Sequence, residues 1–330
     1  MCRSRIGQTL LAAAVLILIT GFILARLSTP HRESTITRSR FWALKTHGDF
    51  QVDMILIGDS RTYRGLSPSM MQTVLEDYRI LNFAYSAGGL NPVMYREAED
   101  RLDPESDRRA VVLGISPSNL LIISAGNDHF LEWKLKDPWE IFLALHLYPA
   151  YRFLYPIDLV EWVRPAEDTG YREAYYDDGW VASWVEPDTD APPTPEPSLS
   201  GCNQAPPAEA PEGPAPTPRA PPGSPYRVSS VIVNALLDQT RAWTQQGIHV
   251  FALRLPTPAS KIQAENELTG LSDWEFAQAF EAAGGVWFWM PPEAYTTLDG
   301  THLSKHSAMQ LSLDLAACIQ EWLKQHASTR

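Results

Sequence analysis

The sequence predicts an α/β protein: a five-stranded parallel sheet with helices around it, preceded by one membrane-spanning helix. Three observations predict it. Short apolar runs alternate with helical apolar spacing over residues 50–330, an uncharged run opens the chain from Ile6 to Ala25, and 14 of the 27 prolines crowd into Glu186–Tyr226. The chain has 330 residues, 45% hydrophobic and 20% charged, which is enough apolar mass for a sizeable core. Its formal net charge of -12 argues against nucleic acid as a partner, because phosphate binding rests on clustered Lys and Arg. Cys2, Cys202 and Cys318 lie far apart, with neither a CxxC pair nor a disulfide framework in their spacing.

The elements follow in chain order. Ile6 to Ala25, 20 residues without a charge, is long enough as a helix to span about 30 Å of bilayer core. A cleavable signal would have a shorter apolar region of roughly 7–15 residues and a small-x-small site, so an uncleaved anchor over 1–30 is expected, followed by a juxtamembrane linker over 31–49. Arg3 and Arg5 precede the span, while Arg26, Arg32, Arg38, Arg40 and Lys45 follow it. By charge alone, the following domain would face the cytoplasm.

Val52 to Gly58 (VDMILIG) reads as a buried parallel strand, and Ser67-Pro68 as the N-cap and first residue of a helix through Asp77. Arg79–Ala84 and Ala110–Ile115 read as the second and third strands, with a helix over Pro92–Arg101 between them. Residues 130–185 form an aromatic-rich insertion expected to be helical. It carries Trp133, Trp139, Trp162, Trp180, Trp184, Tyr148, Tyr151, Tyr155, Tyr171, Tyr175 and Tyr176, suited to packing, glycan contact or a membrane interface. Residues 186–226 are too poor in large apolar groups to offset their ordering entropy and read as a disordered or polyproline-like loop. Beyond it come a helix over Val228–Gln246, a strand over His249–Leu255, a helix over Ser272–Ala283, a strand over Gly285–Met290 and a last helix over Lys305–Gln325.

In parallel sheets chemistry collects at the carboxyl ends of the strands. The first strand ends in Gly58-Asp59-Ser60, where a hydroxyl stands beside free backbone N–H groups. The last strand is followed by Asp299-Gly300-Thr301-His302-Leu303-Ser304. A carboxylate three residues before a histidine can hold its Nδ1 and leave Nε2 to face a serine. His302 and His306 are spaced i, i+4 as metal ligands could be, but no second ligand cluster accompanies them, so neither metal nor cofactor is expected. Arg61 is expected to pair with a local carboxylate rather than hold a substrate anion.

With GDS on the first strand and DxxH before the final helix, the chain from about Phe50 resembles the SGNH superfamily of GDSL-type serine esterases and acyltransferases. The resemblance implies a three-layer, flavodoxin-like α/β/α sandwich and a catalytic triad of Ser60, Asp299 and His302. It also implies an oxyanion hole made by the N–H of Ser60, a glycine N–H after the second strand and an asparagine side chain after the third. Gly88 is the best match for the glycine, with Ala87 able to hold the same place. The Gly-x-Asn-Asp pattern is absent after the third strand, where Gly114-Ile115-Ser116-Pro117-Ser118-Asn119 stands instead. Asn119 is the expected donor, with Asn127 in Gly126-Asn127-Asp128 farther from the strand end. By analogy with membrane-anchored bacterial relatives, the expected substrate is an acylated carbohydrate or small ester, with a membrane-bound acyl-donor protein as candidate partner. The same analogy places the domain outside the cytoplasmic membrane, against the charge count. A non-catalytic envelope scaffold that binds through the aromatic segment and the proline-rich loop is the competing expectation.

Overall fold

The computed structural model describes residues 7–9, 11–16, 19–20, 36–147, 170–188 and 224–327, with isolated positions in 190–221. Of the expected span over Ile6 to Ala25, residues 7–9, 11–16 and 19–20 are described and helical and the rest lie outside the described residues, as does most of the proline-rich loop. Among the described residues no helix is long and apolar enough to cross a membrane.

Strands β1 (Met54–Ile57), β2 (Ile80–Asn82), β3 (Ala110–Ile115), β6 (His249–Arg254) and β7 (Val286–Phe288) form one sheet in the order β2-β1-β3-β6-β7. Every pairing in it is parallel. Counting only these five strands, the order is the doubly wound 2-1-3-4-5 arrangement, whose switch point lies between β1 and β3. The expected strands all form, Ala110–Ile115 at its full expected length and the other four shorter by one to three residues.

Both faces of the sheet are buried, which is why its strands read as continuous apolar runs instead of alternating ones. Ile55, Ile57, Val111, Leu113, Val250 and Trp287 point into one core. Met54, Leu56, Val112, Phe251, Leu253 and Phe288 point into the other. The first core is covered by helices α1 (Arg38–His47), α4 (Pro92–Glu99), α5 (Asp128–Lys134), α7 (Ser230–Gln245) and α9 (Asp273–Ala282), through Trp42, Tyr95, Phe130, Trp243 and Phe280. The second is covered by α3 (Pro68–Gln72) and the final helix α10 (Lys305–Ala327), through Met71, Leu311, Leu315 and Ile319.

Three expectations are corrected. The linker over 31–49 contains α1, capped by Thr37 and buried through Phe41 and Trp42, so the domain begins near Ile36. The insertion over 130–185 is helical only in part. Helix α6 (Pro138–Phe142) and a wide turn over Leu143–Leu147 follow α5, but its far end is an antiparallel hairpin, β4 (Tyr171–Tyr175) with β5 (Val181–Val185). Ala174, Trp180 and Ala182 of that hairpin pack into the second core, and Trp180 Nε1 donates to the Arg64 carbonyl at 2.9 Å. Finally, Cys318, buried on α10, is disulfide-bonded, although the cysteine spacing gave no sign of a bridge. The chain's other cysteines, Cys2 and Cys202, lie outside the described residues.

Candidate active site

The turn that carries Ser60 is built from glycines and a cap. Between β1 and helix α2 (Ser60–Gly65), Asp59 serves as N-cap, its Oδ1 accepting the Arg61 N–H at 3.0 Å. Its Oδ2 accepts the Ser118 hydroxyl at 2.7 Å and the Ser116 hydroxyl, which ties the end of β3 to the start of α2. Thr62 lodges between the two strand ends. A Cβ on Gly58 would stand 2.2 Å from Thr62 Oγ1, and one on Gly114 2.0 Å from the same atom, so neither position accepts a side chain without displacing the turn. Ser60 is thereby fixed at the first helical residue, with Oγ aimed across the strand ends.

Across from it, the loop between β7 and α10 closes on itself. Leu298 N–H donates to the His302 carbonyl at 2.8 Å, and Thr297 bridges Leu303. Gly300, at φ +72, turns the chain so that Asp299 Oδ1 accepts the N–H groups of Thr301 and His302 at 2.9 and 2.7 Å. Asp299 Oδ2 lies 2.8 Å from His302 Nδ1, and His302 Nε2 lies 2.9 Å from Ser60 Oγ. With Asp299 ionised, Nδ1 is the donor and Nε2 accepts the serine hydroxyl, the relay that base-assisted attack by a hydroxyl requires.

Burial pushes the Asp299 carboxyl up, but its hydrogen bonds from the His302 side chain and from backbone N–H groups outweigh that and hold it at about 2, below the usual 3.8. A depressed carboxylate contributes stability above its unfolded value and loses it as pH falls through the folded one. The urea midpoints of wild type and Asp299→Asn are therefore expected to differ at pH 6 and to converge as the pH is lowered from about 4 toward 2. A gap unchanged over that range would show that the carboxylate is not held this way.

The structure brings Ser60, Asp299 and His302 together but spends two of the expected oxyanion donors elsewhere. Gly88 N–H donates to the Tyr85 carbonyl at 3.0 Å, closing a turn. Asn119 is fully buried, with Nδ2 donating to the Gly114 carbonyl at 2.8 Å and Oδ1 accepting from Ser116 N–H in a capping box. Asn127 is likewise turned inward, accepting the Gly89 N–H at 2.7 Å. The N–H groups of Ser60 and Ala87 bond no protein atom among the described residues.

Ala87 is exposed and sits at φ +50, a region an alanine enters only at a cost of roughly 1–2 kcal/mol. Because glycine brings its own unfolded-state entropy, Ala87→Gly is expected to gain only ~0.5–1 kcal/mol in equilibrium urea unfolding. A loss of stability would mean that the loop relies on the Ala87 methyl.

A cavity of about 280 Å³ adjoins the triad, lined by Arg64, Tyr171, Val185, Leu298, Asp299 and His302. The hairpin supplies part of its wall, a contribution that sequence reasoning missed. The signal was present: Asp178-Gly179 between two β-rich runs marks a hairpin turn. A larger cavity of about 520 Å³ opens at the amino ends of β6 and β7, beside His249 and Trp322, away from the strand ends that carry the triad.

Arg61 pairs with a local carboxylate, Glu265, as expected. His306 stands 3.7 Å from Asp188, and no group of three or more His, Cys, Asp or Glu side chains is placed to hold a metal ion among the described residues. Of the aromatic insertion, Trp133, Trp180 and Trp184 are packed inside, Trp139 is exposed and Trp162 lies outside the described residues.

Compared with models of protein families, with curated proteins and with solved structures, the chain matches none. The functional reading therefore rests on the geometry of the site.

Proposed function

We propose that this chain is a membrane-anchored serine acyl-transfer enzyme of the SGNH/GDSL type, acting on ester-linked acyl groups, acetyl above all, of envelope or extracellular polysaccharide. The observation that carries the reading is the unbroken chain Asp299 Oδ2–His302–Ser60 Oγ, with both links below 3.0 Å. A hydroxyl, an imidazole and a carboxylate in that order constitute an activated nucleophile whatever the fold around them.

In the proposed reaction His302 Nε2 takes the Ser60 proton as Oγ attacks the ester carbonyl. Asp299 stabilises the imidazolium, and the N–H groups of Ser60 and Ala87 bond the oxyanion. His302 then protonates the departing alcohol, leaving an acyl-serine. Water or a sugar hydroxyl, deprotonated by the same imidazole, releases the acyl group, so one site serves an esterase or an acyltransferase.

The disulfide at Cys318 favours an oxidising compartment, and with it a domain outside the cytoplasm, over the placement that the flanking arginines suggest. A periplasmic location also suits the polysaccharide substrate and a membrane-bound acyl-donor protein as partner.

A non-catalytic, glycan-binding scaffold has one observation in its favour, the loss of Gly88 N–H and Asn119 Nδ2 to internal bonds. A fluorophosphonate probe separates the two readings. Covalent labelling, with turnover of short-chain aryl esters or acetylated sugars, supports the enzyme; folded protein that takes no label and cleaves neither substrate class supports the scaffold.

A further inference from the structure

The chain enters the domain at its catalytic end. Ile36, the first residue of the continuous described segment, donates its N–H to the Tyr175 carbonyl at 3.3 Å. That carbonyl lies at the turn end of the hairpin, where Tyr175 pairs with Val181; Tyr171 and Val185, paired at its open end, wall the cavity beside His302. Ten residues, 26–35, separate the apolar run from this point, a reach of at most about 35 Å.

The same end of the sheet carries an exposed apolar edge. After β3, Ile122 and Ile123 are 64% and 55% exposed, in the loop whose Ser118 bonds Asp59. The bridge between Leu121 and Val228 pairs this loop with the segment that carries Tyr226 and Val231, two residues before and three residues after Val228, 57% and 75% exposed. Large aliphatic side chains left in water next to a candidate active site are the pattern of a surface that meets something apolar.

We infer that this end of the domain rests on the bilayer from which the chain emerges, with Ile122, Ile123, Tyr226 and Val231 as its apolar contact. The inference builds on the proposed anchor at Ile6 to Ala25, but not on the chemistry of the triad. Entry of the tether at the hairpin and the apolar edge after β3 are separate observations that select the same face. Amphipathic Tyr226 suits the headgroup level, where an apolar ring and a polar tip are both accommodated. The consequence is a site that takes acyl groups presented at the membrane surface, in preference to those of freely diffusing polymer.

The test is photo-crosslinking of the full chain in phospholipid nanodiscs, with a benzophenone amino acid in place of Ile123 or, as control, of Lys324. The control lies in the last turn of α10, a helix of 23 residues that starts just after His302 and runs about 30 Å away from it. Lipid adducts, read by mass, are expected to be at least tenfold more abundant at 123 than at 324. Equal yields, an excess at 324, or adducts at 123 to protein alone would overturn the orientation. Alkaline carbonate extraction of the same chain from membranes reports the anchor separately: release from the membrane would overturn the anchor and the orientation with it. Retention combined with no excess at 123 would overturn the orientation alone. Neither outcome bears on probe labelling of Ser60.

Discussion

Ser60→Ala is expected to abolish fluorophosphonate labelling and to lower ester hydrolysis by on the order of 10⁶-fold, with the fold intact. The size follows from what is removed. The hydroxyl is the only atom of Ser60 that reaches His302 Nε2, and without it the imidazole has no proton to take and the acyl group no covalent carrier. The fold should be indifferent to the change. Ser60 occupies the first helical position of α2, alanine is the best helix former, and the cap that holds the turn comes from Asp59. Thermal unfolding within about 0.5 kcal/mol of wild type, beside loss of labelling, is the expected pair of results. Labelling that persists in the variant would place the nucleophile elsewhere and remove the proposed function.

The triad was legible in the sequence because each half is local. Gly58-Asp59-Ser60 and Asp299 to His302 are short segments at strand ends, and a parallel sheet brings its carboxyl strand ends together whatever lies between. The role of Asn119 was not legible, because an asparagine near a strand end can serve equally well as an outward donor or as a cap. Asn119 closes a capping box with Ser116, and only coordinates distinguish the two uses. Helix α1 was hidden by its composition. Arg38, Ser39, Arg40, Lys45, Thr46 and His47 read as a polar linker, yet Lys45 is fully buried. Its Nζ donates to the Gly179 carbonyl at 2.9 Å and lies 5.0–5.5 Å from the ring centres of Phe41, Trp42, Tyr63 and Tyr85. No periodicity announces a lysine whose partners are two aromatic faces of its own helix and two from distant segments. Helix α8 (Ala259–Thr269) was missed for a related reason: its buried partners are charges, not apolar groups.

Those charges carry the second large effect, and it falls on stability. Glu265 of α8 accepts Nη1 of Arg61 at 3.1 Å and Nη2 of Arg254 at 2.9 Å, and Arg254 continues to Asn266 at 2.6 Å and to Asp273. The side chains of Arg61, Arg254 and Glu265 are only 8%, 7% and 15% exposed. Burial alone would raise the Glu265 carboxyl, but the two guanidinium groups outweigh it and hold the group below the ordinary range. Glu265→Gln keeps the shape and removes the charge, leaving Arg254 with Asp273 and Arg61 with no other ion pair among the described residues. Removing one member of a buried ion network typically costs about 3–5 kcal/mol, because the partners stay desolvated without compensation. The expected result is a fall in the urea midpoint at unchanged m-value and a drop in Tm of roughly 10 °C. A second substitution tells desolvation apart from lost packing. If stranded charge is the cause, Arg61→Met in the Glu265→Gln background should recover part of the loss, since Arg254 keeps Asp273 and Arg61 is the cation left buried without its partner. Further destabilisation by an amount simply additive with the first would assign the cost to shape instead. Arg61 adjoins Ser60 in sequence, so the single variant should also slow ester turnover beyond what its stability explains, as an unpaired guanidinium is drawn toward Asp59 and Asp299.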